Sequence, residues 1–390
     1  MPANIPQIPR AFFNNIGGMS LTDIAFVVAS AFFADDVPVN VLKSIVDDAF
    51  STPIQLEQLT ADTFVLELFR GPTLTFKDYG ARFMARLLQY FDKDASVPRH
   101  VLIATTGNTG AAAASGFYRM QNVDISVLYP KGTLNSMQKS ELVALGENIY
   151  PVEVAGSIDD CKRLIQTAMT DESLSCFNLT GANSINIARL IPQVTFALYA
   201  YSRLVADEHR DADKAVFSIP AGNYSNVVAT AIARKMGMPM RHIIAAPGHA
   251  PRKHSLTPSI DMLTPTGLPR LTELYNNDLN LLRSDITIAP SVEDATIADV
   301  INRLRRDHSY TIDPHGAVAM AAAEKFDADG APKIVFATGH PAKQLDAMTR
   351  ITGGAIEMPH QINKWMTGRR QPLIIPPTLP ALRKHLHSIK

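Results

Sequence analysis

The sequence predicts an α/β fold built around a mostly parallel sheet. Short apolar β runs alternate with helical patterns along most of the chain, which is the pattern of βαβ units. Several of those runs end in clusters of small and polar residues before the next helix. Length agrees: 390 residues suggest two domains, or one large one with an appendage.

The elements follow in order. Residues 20 to 50 read as two helices, with Ser20 capping the first and Asp23 in its opening turn. Pro38 interrupts, and Asn40 is placed to cap the second. Thr63 to Phe69 has strand character, and Asp78 to Phe91 has a helical pattern. His100 to Ala104 is a β run, followed by a loop and an Ala-rich helix from Gly110. Asp124 to Tyr129 and Asn148 to Val154 read as strands, and Asp159 to Met169 as a helix. Ala215 to Ile219 is a strand leading through a loop to a helix that ends at Met236. Met240 to Ala246 and Lys333 to Ala337 complete the strands. The Pro/Ser/Thr-dense stretch His249 to Leu271 reads as an irregular loop, and the tail beyond Arg369 as a surface-packed segment ending in a basic helix.

Composition narrows the function. Lys plus Arg equals Asp plus Glu at 37 each, which argues against a nucleic-acid or membrane surface built on bulk charge. The two cysteines, Cys161 and Cys176, form no metal-ligand spacing and read as buried or partly buried thiols in a reducing compartment. No secretory leader is visible in Met1 to Arg10, and the apolar stretch Ile24 to Ala34 is too short to span a membrane. A cytoplasmic protein without metal is expected.

Three segments share one design, an apolar strand followed by small and polar residues and then a helix or turn. They are Ala104 to Gly110 (ATTGNTG), Pro220 to Asn226 (PAGNYSN) and Ala337 to Lys343 (ATGHPAK). A helix N-terminus offers unpaired N–H groups and a favourable dipole to an anion, and glycine lets the anion approach the backbone. In open α/β sheets ligands bind at the carboxyl ends of strands, where these loops fall. Any one of them is equally a turn that only caps a helix. Together they imply a ligand with more than one anionic group. None matches GxGxxG or GxxxxGK[ST], and no HExxH or GxSxG motif is present. In Gly71 to Asp78 (GPTLTFKD), Lys77 sits just before a helical run with Asp78 placed to cap it. Its aromatic neighbours Phe76 and Tyr79 suggest partial burial, which favours the neutral amine of a nucleophilic lysine.

Leu68 to Met84 (LFRGPTLTFKDYGARFM) resembles the cofactor-lysine segment of threonine synthases, pyridoxal-phosphate (PLP) enzymes of the tryptophan-synthase-β type, fold type II. The similarity continues in order through Thr105 to Gly110, Leu128 to Gly132, Asn183 to Arg189, Pro220 to Asn226, Asp313 to Ala319 and Ala337 to Lys343, and looks like the bacterial and fungal branch. The resemblance implies two parallel-sheet domains with helices on both faces and an N-terminal helical segment. Its expected boundaries are 1–52 for that segment, 53–80 with 195–390 for a large PLP-binding domain, and 81–194 for a smaller, mobile domain.

The resemblance also implies roles. Lys77 holds the cofactor covalently and then acts as acid and base. Gly222, Asn223, Tyr224, Ser225 and Asn226 cradle the cofactor phosphate, and Thr338 places a hydroxyl near the pyridine nitrogen. Thr105, Thr106, Asn108 and Thr109 take the substrate carboxylate, with Asn108 also near the cofactor O3′. Asn183, Ser184, Asn186 and Arg189 hold the substrate phosphate. Simpler readings stand beside these: Asn186 or Ser184 as a helix cap, Arg189 as a structural ion-pair residue, His315 as a packed histidine near the pocket. The implied reaction turns O-phospho-L-homoserine and water into L-threonine and phosphate, by γ-elimination and β-replacement. A monomer or small homo-oligomer is expected.

Departures from the family's usual motifs mark a divergent member. Arg70 stands where His is usual, T-G-N-T-G at 106–110 replaces S-G-D-T-G, and Ala221 and Ser225 alter S-G-N-F-G. The asparagine-rich stretch becomes Pro258 to Gly267, Gly339 precedes His340-Pro341, and an N-terminal S-T-R-G is not found. The competing functions are a phospholyase or γ-replacement enzyme acting on another γ-substituted amino acid, and a PLP-binding protein without catalysis.

Overall fold

The structure, a computed structural model, describes every residue except 3, 183–185, 208–209, 251–254, 263, 366–370 and 390. Its strands in chain order are β1 (Gln55–Gln58), β2 (Thr63–Glu67), β3 (Arg99–Ala104), β4 (Val123–Pro130), β5 (Ile149–Val154), β6 (Leu179–Gly181), β7 (Val216–Pro220), β8 (His242–Ala246), β9 (Ile286–Ile288), β10 (Lys333–Ala337) and β11 (Leu373–Ile375). The chain divides into two compact units. One comprises 1–76 and 190–357, and the other 77–189 and 358–390.

The first unit holds a sheet of order β1-β2-β10-β7-β8-β9, parallel except for the β1–β2 pair. β7 is buried along its whole length and β8 and β10 nearly so, as expected of parallel strands covered on both faces. The polar exception, Ser218, donates to the Ala319 carbonyl at 2.7 Å. Ahead of the sheet lie helices Leu21–Phe33 and Val39–Ala49. The Ser20 side chain accepts the Asp23 N–H as expected. Asn40 does not cap the second helix. Pro38, at φ −55°, stands at the N-cap with no side-chain cap, and Asn40 falls inside the helix.

The second unit holds a sheet of order β11-β5-β4-β3-β6, parallel throughout. Helix Lys77–Phe91 opens one residue earlier than the sequence suggests, and Asn108–Phe117 two residues earlier than Gly110. The tail does more than cover surface. β11 pairs with β5, and helix Leu379–Ser388 buries Leu382 and Leu386 in a core with Val152, Val154, Cys161 and Leu164. Residues 358–390 therefore cluster with the second unit, whereas the sequence reading grouped them with the larger domain. Their short strand, Leu373–Ile375, pairs through backbone bonds that composition does not reveal. Cys161 is buried, but Cys176 is exposed, not partly buried, and both are free thiols. Among the described residues no helix is long and apolar enough to cross a membrane.

Candidate active site

In the second unit, Lys77 opens helix Lys77–Phe91, the loop 105–107 leads from β3 into helix Asn108–Phe117, and Arg189 lies in the short helix Ile187–Leu190. Lys77 is half-buried at the first position of its helix, and Asp78 lies inside the first turn, not at the cap. Three residues after Lys77, Gly80 meets the backbone of Arg189: a Cβ there would stand 2.5 Å from the Arg189 carbonyl oxygen. Only hydrogen fits, so the turn carrying the lysine and the segment carrying the arginine are locked together.

Arg189 is 5% exposed and donates from Nη1 to the Ala182 carbonyl at 2.7 Å. Burial pushes its guanidinium down to about 10, which still leaves it cationic near neutral pH. Asn186 accepts the Ala188 N–H at 3.0 Å, so its side chain caps the short helix Ile187–Leu190. Asn183 and Ser184 lie outside the described residues.

The loop after β3 is organised by Thr105. Its hydroxyl donates to the Gly107 carbonyl and accepts from the Gly107 and Gly110 N–H groups, all within 3.1 Å. The Thr105 side chain thus shapes the loop. Thr106 is exposed, and Asn108 and Thr109 are half-buried. Gln138, which the sequence reading passed over, brings Nε2 to 3.4 Å from Asn108 Oδ1. It is set there by a capping box with Asn135, a signal visible in the N-x-x-Q spacing.

The first unit carries the other group. β7 runs into the turn 221–224 and then helix Ser225–Lys235. A Cβ on Gly222 would stand 2.7 Å from Ile260 Cα and from the Ser259 carbonyl oxygen, so this turn must approach that backbone bare. Positive φ falls on Tyr224, at 59°, and not on Ser225, which begins the helix. Asn223 Oδ1 accepts the Thr266 N–H at 2.7 Å and its hydroxyl at 2.9 Å. Ser259, Ile260 and Thr266 of the altered stretch thus buttress the turn, and the expected loop 249–271 gives way to helix Gly267–Leu274.

These residues fit a phosphorylated cofactor. The helix at Ser225 presents N–H groups without intrahelical partners. Asn226, 4% exposed, has an Oδ1 with no hydrogen-bond partner among the described residues. Thr338 follows β10, which lies between β2 and β7. Its carbonyl accepts the Phe76 N–H at 3.1 Å, beside an antiparallel bridge from Thr75 to Gly339. The departing Arg70 is paired with Glu67, which also accepts the Tyr310 hydroxyl at 3.0 Å.

Comparison with known proteins agrees with this chemistry. Residues 47–337 match the family described as pyridoxal-phosphate dependent enzyme, and residues 1–50 match threonine synthase N terminus. The threonine synthase of Escherichia coli strain K12 is 32% identical over 377 residues, covering 93% of this chain and 86% of that protein. This chain belongs to the threonine synthase family. It shares the cofactor of that family, PLP. The crystal structure of threonine synthase from Escherichia coli is similar with a TM-score of 0.89 and 30% identity, covering 100% of this chain and 93% of that one. The PLP-bound threonine synthase from Brucella melitensis gives 0.90 and 26%, covering 100% and 92%. Fold type II is therefore the architecture of this family member. Its N-terminal module is present although S-T-R-G is not found in it.

Proposed function

We propose that this chain converts O-phospho-L-homoserine and water to L-threonine and phosphate, with Lys77 as cofactor lysine and proton carrier and Arg189 as the principal partner of the substrate phosphate. The observation that carries the reading is the contact at Gly80. Within one unit it packs the segment of the proposed cofactor lysine against the backbone of a buried guanidinium, which supports a phosphorylated amino acid held by the cation being presented to the lysine.

When bound, PLP supplies the electron sink that stabilises negative charge at the substrate carbons. In this reading the turn Gly222–Asn226 takes the cofactor phosphate through backbone N–H groups, Thr338 faces the pyridine nitrogen, and Asn108 serves O3′. Thr106, Asn108 and Thr109, on a loop that Thr105 shapes, orient the substrate carboxylate. Arg189 takes the phosphate, together with Asn183, Ser184 and Asn186. A guanidinium suits this role because its planar donors match phosphate oxygens in pairs. Lys77 removes the α-proton, then a β-proton, and returns a proton to Cγ after phosphate leaves. A flexible amine suits such serial work at neighbouring carbons. The reading places the enzyme in the cytoplasm as a monomer or small homo-oligomer.

Incubating the PLP-loaded protein with O-phospho-L-homoserine, and reading phosphate and amino acid together, tests it. Equal amounts of phosphate and threonine are expected. Phosphate with a keto acid in place of threonine would point to a phospholyase.

A further inference from the structure

Asp313 and His315 stand at the start of helix Pro314–Lys325, with Asp313 as N-cap accepting the Gly316 N–H at 3.0 Å. The other carboxylate oxygen of Asp313 lies 2.8 Å from His315 Nδ1. A carboxylate only accepts, so Nδ1 carries the hydrogen and, in the neutral ring, Nε2 carries the lone pair. Gln344 approaches Nδ1 only to 3.5 Å, too far to displace that bond. His315 is 6% exposed, and its Nε2 is buried with no partner among the described residues.

The surroundings are those of the cofactor loop. A Cβ on Gly339 would lie 3.6 Å from the Asp313 carboxylate, and Gly339 follows Thr338. Gly339 also bridges to Thr75, whose hydroxyl is likewise buried without a partner among the described residues. The neighbouring His340 makes no hydrogen bond to Nε2. Its own Nδ1 accepts the Ala342 N–H at 3.1 Å, and burial, pushing it down to about 4, keeps it neutral.

A buried acceptor left without a donor is costly, so the donor comes with a ligand. The reactants narrow its identity. Carboxylate and phosphate groups offer acceptors, and the amino group is engaged at the cofactor. Water is the reactant that brings O–H, and after addition the same oxygen is the β-hydroxyl of the product. We propose that His315, oriented by Asp313, is the hydrogen-bond acceptor for the water that adds at the β-carbon and then for the β-hydroxyl of threonine. The proposal rests on the threonine synthase reading and assigns one more of its contacts.

Binding to the PLP-loaded protein tests this without turnover. L-Threonine and L-2-aminobutyrate share a carbon skeleton and differ by that hydroxyl. Titrations following the cofactor absorbance are expected to show about a 5- to 10-fold preference for threonine, the worth of one net hydrogen bond. His315→Phe and Asp313→Asn should each reduce it below about twofold. The asparagine retains the helix cap but can donate to Nδ1, which turns Nε2 from acceptor to donor, so it serves even if the phenylalanine variant fails to fold. In the wild type, the ¹⁵N resonance of His315 Nε2 should move on adding threonine and stay on adding aminobutyrate. A preference surviving in Asp313→Asn, or no preference in the wild type, overturns the assignment while leaving threonine formation intact. If neither amino acid perturbs the cofactor and no threonine is made, the reaction assignment itself falls, and this one with it.

Discussion

The backbone N–H of Phe76 donates to the carbonyl of Thr338 at 3.1 Å. Phe76 precedes Lys77 by one peptide bond, and Thr338 follows the central strand β10. Two segments more than 200 residues apart are thus tied beside the residues proposed as cofactor lysine and as hydroxyl for the cofactor ring. The lysine's backbone position is set by main-chain hydrogen bonding, which a side-chain substitution at 77 leaves in place.

Lys77→Ala should therefore fold and lose the visible absorbance of covalently held PLP. Threonine formation should fall by at least about 10²–10⁴-fold, the contribution of one acid–base group. Lys77→Arg should not restore it, because a guanidinium stays protonated. Absorbance spectra and rates on the purified variants check this, and near-normal turnover in the alanine variant would remove Lys77 from its role.

Gly222→Ala places a methyl group 2.7 Å from the backbone of residues 259 and 260. Overpacking of this kind costs about 1–3 kcal/mol, and the strain falls on the turn proposed for the cofactor phosphate. PLP affinity should drop by about 5- to 150-fold, measured by cofactor titration. Tyr224→Gly, at φ 59°, should relieve backbone strain and keep the turn.

Arg189→Ala should weaken binding of inorganic phosphate or a phosphonate analogue by about 10- to 150-fold, the worth of a charge-assisted contact. Lysine should recover part of the charge without the two-pronged geometry. Cofactor absorbance should be unchanged. Titration with phosphorylated and acyl-ester ligands separates this from a site for an uncharged γ-group, where the variant would bind as the wild type does.

A pH effect on stability follows from the tail. His100 and His385 flank Ser126, each 2.9 Å from its hydroxyl. Burial, with repulsion from His385, pushes His100 down to about 3, and burial pushes His385 down to about 4. Unfolded, both titrate near 6.5, so below that pH the unfolded chain binds more protons and stability is lost as pH falls toward 4. Melting temperature should decline from pH 7 to pH 5, more steeply in the wild type than in His385→Leu. Equal slopes would show that this histidine is not responsible.

Much of this was legible in the sequence. The strands β3, β4, β5, β7, β8 and β10 are apolar runs of parallel-sheet type, and the lysine segment, the 105–110 loop and the 220–226 turn are local motifs. What escaped was non-local. β11 reads as part of a surface-packed tail because its pairing with β5 depends on backbone bonds between residues more than 200 positions apart. Thr105 looked like a ligand residue from its motif, yet its hydroxyl closes its own loop, a choice of rotamer that no spacing encodes. The Asp313–His315 pair was visible as two letters in a motif, but the lone Nε2 appears only once the fold has buried it.

The measurement that tests the account most directly uses ¹⁸O-labelled water with O-phospho-L-homoserine and the PLP-loaded protein. The account predicts one solvent oxygen in the β-hydroxyl of each threonine formed, an equal amount of phosphate carrying no label, and neither product from Lys77→Ala. Label in the phosphate with homoserine as the other product, or phosphate released without labelled threonine, would contradict it.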